Sequence, residues 1–413
     1  MMKGMGAAEP PSAPGPATDV SERSPAPVLA APAEPARSTG SAPAAEPVGR
    51  SGRPGGAGRR QAGKNRGAFG AQGRRERGPY YAALDLGTNN CRLLVAEPAA
   101  DTFRVVDSFS RIVRLGEGLA TSGSLKPEAM DRALGALRTC SQKLGDRPMA
   151  RARLIATEAC RRAANGAEFL ARVREETGLH LEIIDRRTEA KLAVEGCFSL
   201  IDEDAAGAVL FDIGGGSSEI VWLDRRKTRR RGGLMRAWVS LPLGVVTLAE
   251  RHGGIDVDCS VFEAMVQEVR GEFHRFHARE ALKAAVGERP FHFLGTSGTV
   301  TTLAGVHLDL PRYDRRYIDG LWMDESEIEL MMGKIRGMDY EARRNNPCIG
   351  RERADLVLAG CAIFEAIRRE WPCRRLRVAD RGLREGILVQ LMRVDGYLRA
   401  GGRPARLERP GAS

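Results

Sequence analysis

The chain has 413 residues, 42% of them hydrophobic, which is enough for two domains with cores of their own. No apolar run approaches the roughly eighteen residues that span a bilayer, and the N-terminus lacks a signal-peptide core, so a soluble, cytoplasmic protein with no membrane partner is expected. The net charge of +11 is uneven: residues 1–78 hold 12 Lys+Arg against 6 Asp+Glu, a net +6, and the other 335 residues carry only +5.

Residues 1–78 are Pro, Ala, Gly, Ser and Arg with almost no aromatic or β-branched side chains. Such a segment cannot bury enough surface to offset its ordering entropy, and we expect a disordered tail. From Gly49 to Gly78 it turns Arg/Gly-rich; a solvated tail is the simpler reading, and phosphate contacts to RNA or another polyanion are the alternative. Residues 397–413 repeat this composition and are expected to be a second flexible tail.

Folded sequence begins with Tyr80–Glu97, an apolar run ending in Asp85, a Gly87-Thr88-Asn89-Asn90 turn and a second apolar run from Leu93. A third strand is expected over Phe103–Leu115, a helix over Met130–Leu144, a strand over Ala152–Ala156 and a helix opening in ATEACRRAAN (156–165). The strand LEIID (181–185) leads into a helix running to about Leu200. Glu189 thereby sits at a helix start just beyond a strand end, where α/β folds present side chains to a cleft. As a plain structural residue it would be a first-turn acid favoured by the helix dipole.

Val209–Leu223, VLFDIGGGSSEIVWL, reads as strand, tight turn, strand. Three glycines remove every Cβ that would keep a ligand from the backbone, and positive φ values there would let successive N–H groups converge on a phosphate. The hairpin also brings Asp212 and Glu219 together, a conflict that a divalent cation shared with phosphate oxygens would remove. Arg225–Gly233 is expected to be a solvated basic hairpin tip. Strand ends at 241–246, a helix over Phe262–His277, and a strand from Phe291 follow. That strand delivers Gly295-Thr296-Ser297-Gly298-Thr299 onto a helix start, offering donors to an anion. Helices around 326–337 and 353–370, a strand at 374–378 and a helix from Leu383 complete the chain.

Eight cysteines are scattered without a C-x-x-C pair, which suits buried free thiols rather than disulfides or zinc. His274 and His277 could share a helix face but lack a third ligand, and are taken as surface residues.

Asp85 and Asp212 head the same layout 127 positions apart, which suggests a duplicated fold with one phosphate loop from each half. The layout resembles the superfamily of actin, sugar kinases and the heat-shock chaperone ATPase. The resemblance implies an α/β protein of two ribonuclease-H-like domains, 79–204 and 205–396, facing each other across a cleft.

DLGTNNCRLLVAE, ATEACRRAAN, EIIDRRTEAKLAVEG, FDIGGGSSEIVW, LPLGVVTLAE, GTSGTVTTLAG and VADRGLREGIL together resemble, in order and over about residues 80–392, the exopolyphosphatase / guanosine pentaphosphate phosphohydrolase family. The resemblance implies Glu189 as catalytic base, Asp212 and Glu219 as the acids associated with a divalent metal, usually Mg2+, and Gly214, Gly215, Gly216 and Ser217 as the phosphate loop. It implies Asp85, Gly87, Thr88, Asn89 and Asn90 as the opposing loop, Arg161 as a phosphate contact and Gly295 to Thr299 as the end of the phosphate channel. Longer members carry an added C-terminal helical region; this chain resembles a short form, which implies a lesser grip on very long chains and short chains as substrates. Cys91 after Asn89-Asn90 departs from the commoner pattern.

The expected activity is magnesium-dependent release of orthophosphate from the end of inorganic polyphosphate. Guanosine pentaphosphate is the alternative substrate; an ATP-dependent kinase or a non-catalytic polyanion-binding protein are further alternatives. A homodimer is compatible with the resemblance.

Overall fold

The structure, a computed structural model of the chain, describes residues 79–100, 102–225 and 234–398. The expected tails and most of the basic tip Arg225–Gly233 lie outside the described residues. Two mixed sheets organise the rest, each starting with an antiparallel meander.

The first sheet takes β1 (Tyr80–Leu86), β2 (Asn90–Ala99), β3 (Thr102–Ile112), β4 (Met149–Ala156) and β5 (Glu182–Ile183) in the order β3-β2-β1-β4-β5, with β4 parallel to β1. Between β3 and β4 run α1 (Leu119–Ser122) and α2 (Pro127–Gly145), and between β4 and β5 run α3 (Glu158–Arg162) and α4 (Gly166–Thr177). Helix α5 (Arg186–Cys197) leads to the second sheet.

That sheet takes β6 (Gly207–Ile213), β7 (Ser218–Asp224), β8 (Met235–Leu241), β9 (Phe291–Thr296), β10 (Trp322–Asp324) and β11 (Arg375–Ala379), in the order β10-β11-β9-β6-β7-β8. Here β9 is parallel to β6, as β4 is to β1, so the duplication expected from the two Asp-Gly turns is present in the topology. The helices are α6 (Val245–His252), α7 (Cys259–Glu272), α8 (Arg279–Glu288), α9 (Gly298–His307), α10 (Arg315–Ile318), α11 (Glu325–Arg336), α12 (Tyr340–Asn345), α13 (Val357–Glu370) and α14 (Leu383–Val394). None of the described helices is long and apolar enough to cross a membrane.

The period-2 pattern of β6 explains the packing. Val209, Phe211 and Ile213 join the core under α7 and α13, where Phe211 stacks on Phe364 at 5.0 Å, while Ala208 and Leu210 face Ala190, Ala193, Val194 and Cys197 of α5. On its other side α5 gives Leu192 to a cluster with Tyr81 and Ala83 of β1 and Ile387 and Leu388 of α14. Helices α5 and α14 thus fill the space between the sheets. They cross closely: a Cβ at Gly196 would lie 1.9 Å from the Gly382 carbonyl oxygen, and one at Gly386 would lie 2.0 Å from that of Leu192.

Several element expectations need correction. LEIID pairs with β4 only through Glu182 and Ile183, because it is an edge segment. Strand β3 stops at Ile112, since the Val113 and Arg114 N–H groups turn to the Asn89 carbonyl. Residues 353–356 are irregular, and α13 begins at Val357. Of the cysteines, all free, seven are buried and Cys259 is exposed; His274 and His277 are exposed.

Candidate active site

Both Asp-Gly turns are closed by one backbone hydrogen bond, Gly87 N–H to Asn90 O at 2.8 Å and Gly214 N–H to Ser217 O at 2.9 Å. Each is braced from behind. The Asn89 carbonyl accepts from Val113 and Arg114, Thr88 O accepts from Gly116, and Gly214 O and Gly215 O accept from Val245 and Val246 at the start of α6. The glycines of the second turn are not among the left-handed residues, contrary to the expectation of positive φ. Their requirement is close approach: a Cβ at Gly215 would lie 3.0 Å from Thr88 Cβ, and one at Gly216 would lie 2.8 Å from Thr88 Oγ1. The opposed turns therefore meet directly, glycine against threonine.

The third small-residue loop joins them. Ser297, at φ 82°, donates its hydroxyl to Ile213 O at 2.8 Å, and Thr296 Oγ1 donates to Arg381 O at 2.7 Å. Left-handed φ at a residue with a Cβ is costly and is held here by the strand ahead and helix behind.

These loops surround a cleft of about 560 Å³. Asp85, Glu189, Asp212 and Glu219 all line it, as do Gly87 to Asn90, Gly214 to Ser217 and Thr296 to Thr299. Gly295 sits behind the lining, its Cβ position 2.6 Å from Val300 Cγ1. Asp212 and Glu219 are direct cross-strand partners on β6 and β7. Burial, with Asp85 beside it, pushes Asp212 up to about 6; burial, with Asp212 opposite, pushes Glu219 up to about 7, although Ser240 Oγ donates to Glu219 at 2.7 Å.

Glu189 occupies the first turn of α5, whose start is fixed by Asp185 accepting from the Thr188 N–H at 2.7 Å. Its side chain is 13% exposed. Burial first, then the charges of Glu219, Asp85 and Asp212, hold its carboxyl well above the ordinary range, against the opposing pull of Arg161.

Arg161 is not among the residues lining the cleft. Its guanidinium donates to Glu158 Oε2 at 2.6 and 3.1 Å, to Ile184 O at 2.6 Å and to Glu189 Oε2 at 3.1 Å. Glu158, buried at 2% exposure, also receives Arg186 at 2.8 Å. Arg161 thus reaches the carboxyl of residue 189 from behind.

Three other arginines line the cleft and make no ion pair or hydrogen bond through their side chains among the described residues: Arg92, Arg353 and Arg384. By contrast Arg315 pairs with Glu385 at 3.0 Å, and Arg381 with Asp319. Arg92 and Arg384 act electrostatically on Asp85, and burial lowers the pKa of Arg384. Guanidinium groups held without a partner anion in a partly buried cleft are suited to bind one. Sequence reasoning missed all three. Arg92 and Arg384 stand inside quoted motifs, CRLLVAE and GLREG; Arg353 had no signal of its own.

No group of three or more His, Cys, Asp or Glu among the described residues forms a ready metal cage. The donors are nonetheless of the kind a hard cation takes: mutually repelling carboxylates, with the buried Asn89 Oδ1 and Asn90 Oδ1 lacking any hydrogen-bond partner. Magnesium keeps several waters and needs only one or two carboxylates beside substrate phosphates, so the residues fit.

The family model of the Ppx/GppA phosphatases matches residues 94–394. Among solved structures, an exopolyphosphatase-like protein is 26% identical with a TM-score of 0.67, over 76% of this chain and 99% of that one. The Aquifex aeolicus member of the Ppx/GppA family is 25% identical with a TM-score of 0.62, over 77% and 99%. An exopolyphosphatase from Cytophaga hutchinsonii, 23% identical with a TM-score of 0.66 over 78% and 99%, shares the fold.

Proposed function

The chain belongs to the Ppx/GppA phosphatase family and is a phosphoanhydride hydrolase, and from that premise we propose that it removes the terminal phosphate of inorganic polyphosphate as orthophosphate. The observation that carries this reading is the placement of a buried, proton-affine Glu189 on the wall of a cleft that also presents three guanidinium groups without partner anions.

Water attacks the terminal phosphorus, the anhydride P–O bond breaks, and the shortened chain leaves with that bond's electrons. Glu189 accepts the water's proton, and its raised pKa makes it a better base near neutral pH than an ordinary carboxylate. Arg161 fixes the direction of that carboxyl and keeps part of it ionised. The turns at 87–90 and 214–217 hold phosphate oxygens, and Arg92 and Arg384 balance the charge that accumulates on them. Asp212 and Glu219 would hold magnesium, which when bound supplies charge neutralisation at the phosphate oxygens.

A second reading keeps the chemistry and changes the substrate to guanosine pentaphosphate. Leu94, Val105 and Phe109 also line the cleft, an apolar surface that a phosphate chain does not use and a purine ring would. Phosphate release measured side by side on polyphosphates of defined length and on the nucleotide, with magnesium present, tests both; release from neither would overturn the assignment of substrate.

A further inference from the structure

Glu158 is an acid in a cleft suited to anions. It opens α3, lines the cleft and is 2% exposed. A carboxylate there repels the phosphates that the turns would hold, so its charge has to be met from inside the protein. Arg161 donates to Glu158 Oε2 through Nε at 3.1 Å and through Nη2 at 2.6 Å. Arg186 donates to Oε1 through Nη2 at 2.8 Å and to Oε2 through Nε at 3.2 Å, and Arg162 Nε lies 4.0 Å from Oε1. Both carboxylate oxygens are thus taken up by guanidinium groups.

The same contacts join the parts that meet at the base. Arg186 is the first residue of α5, three before Glu189, and Glu158 holds it from α3. Arg161 bridges Glu158 and Glu189 through one nitrogen, Nη2, which is 2.6 Å from the first carboxylate and 3.1 Å from the second. On the other flank, Glu158 Cγ lies 3.2 Å from the Cβ position of Gly216, so the side chain abuts the second phosphate turn. Glu158 is therefore a shared partner of that turn, of the start of α5 and of the guanidinium that reaches the base. The shorter contact falls on Glu158, which draws Arg161 away from Glu189.

We propose that Glu158 is a positioning residue for the hydrolysis: it fixes Arg161 and Arg186 so that the Glu189 carboxyl is aimed into the cleft and held by a single, longer hydrogen bond. The inference rests on the hydrolase reading, with Glu189 as base. Without Glu158, Glu189 is the carboxylate left to Arg161, and a closer pairing would turn it away from the attacking water.

The test is Glu158→Gln, which keeps the shape and removes the charge. It is assayed for phosphate release from tripolyphosphate with magnesium, beside Arg186→Ala, Arg161→Ala and the 158/161 double variant. Glu158→Gln should lower kcat about tenfold without raising KM. The charged groups facing Glu189 are Asp85 on β1, Asp212 on β6, Glu219 on β7 and Arg161 on α3. Of these Arg161 alone pairs more closely in the variant, so the acidic limb of kcat should move to lower pH, opposite to Arg161→Ala. In the Arg161→Ala background, Glu158→Gln should cost no more than Arg186→Ala does alone. Should Glu158→Gln not fold, Arg186→Ala, whose side chain is 40% exposed, carries the test. Its kcat should fall about threefold at unchanged KM, and a wild-type kcat there would overturn the proposal.

A wild-type kcat and an unmoved pH limb in Glu158→Gln would overturn the positioning role and leave the hydrolase reading standing; so would a raised KM at unchanged kcat. Losses that add fully in the double variant would overturn the route through Arg161. A wild-type protein that releases no phosphate would overturn the hydrolase reading, and the positioning contact is then decided by the crystal structure of Glu158→Gln: Arg161 should close on Glu189, and an unmoved guanidinium overturns it.

Discussion

Arg161 donates to Glu189 at 3.1 Å while its other nitrogens are committed to Glu158 and to the Ile184 carbonyl, so the guanidinium holds the carboxyl rather than facing the cleft. If Glu189 is the base, Glu189→Gln should leave the fold intact and lower kcat by about 10² to 10⁴. Phosphate release by the purified variant checks this, and near-wild-type turnover would remove residue 189 from the mechanism.

Arg161 itself makes a sharper case. It opposes the upward shift of the Glu189 pKa, so Arg161→Ala should move the acidic limb of the activity profile to higher pH as well as lower kcat. A residue that bound substrate phosphate directly would instead show mainly as a raised KM. Profiles of kcat and kcat/KM against pH separate the two roles.

For the wild type, activity should fall as pH drops, with its midpoint above the ordinary glutamate value of 4.5, because Glu189 must lose its proton to act. The stability of the metal-free protein runs the opposite way. Asp212 and Glu219 keep protons in the folded state that the unfolded chain has released, so stability should decline as pH rises from about 4 through about 7. Asp212→Asn should accordingly stabilise the metal-free protein at pH 8 by on the order of 1–3 kcal/mol. Urea unfolding in a chelating buffer measures this.

Magnesium should reverse that balance. Its addition is expected to raise the thermal midpoint of the wild type, since a ligand bound only by the folded state stabilises it by mass action. Asp212→Asn should lose most of the rise, and equal shifts in both proteins would place the cation elsewhere.

The contact between the turns gives a prediction independent of activity. A methyl at Gly216 meets Thr88 Oγ1 at 2.8 Å, so Gly216→Ala should destabilise by roughly 1–3 kcal/mol as overpacking. Thr88→Ala in the same chain should return part of it, because the obstructing hydroxyl is gone. Chemical denaturation of the single and double variants measures the recovery.

How far the sequence showed all this depends on what kind of signal each part left. Asp212 and Glu219 flank a glycine turn within two apolar runs, and hairpin register alone pairs them, as β6 and β7 do. The repeat of Asp85 and its turn announced the duplicated sheets. Pattern could not show that Arg161 is consumed by Glu158, because the partner sits three residues away on the short helix α3 and the contact with Glu189 is made only after α5 packs. Arg353 was illegible for a different reason: its position is set by an irregular segment whose shape comes from tertiary hydrogen bonds, not from any local period. Positive φ was the wrong reason for Gly214 to Gly216, since sequence shows that a Cβ is missing without showing whether backbone angle or a neighbour excludes it.

The crossing of α5 and α14 sets a mechanical limit on the cleft, since Gly382, against which Gly196 packs, also lines it. Glu189 opens one of these helices and Arg384 stands in the first turn of the other, so the spacing between proton acceptor and cation is inherited from how tightly the two rods touch at Gly196 and Gly386. A single hydrogen atom is the largest side chain either position admits. One carbon more would act as a wedge, widening the gap between base and counter-charge without altering a single group that does chemistry.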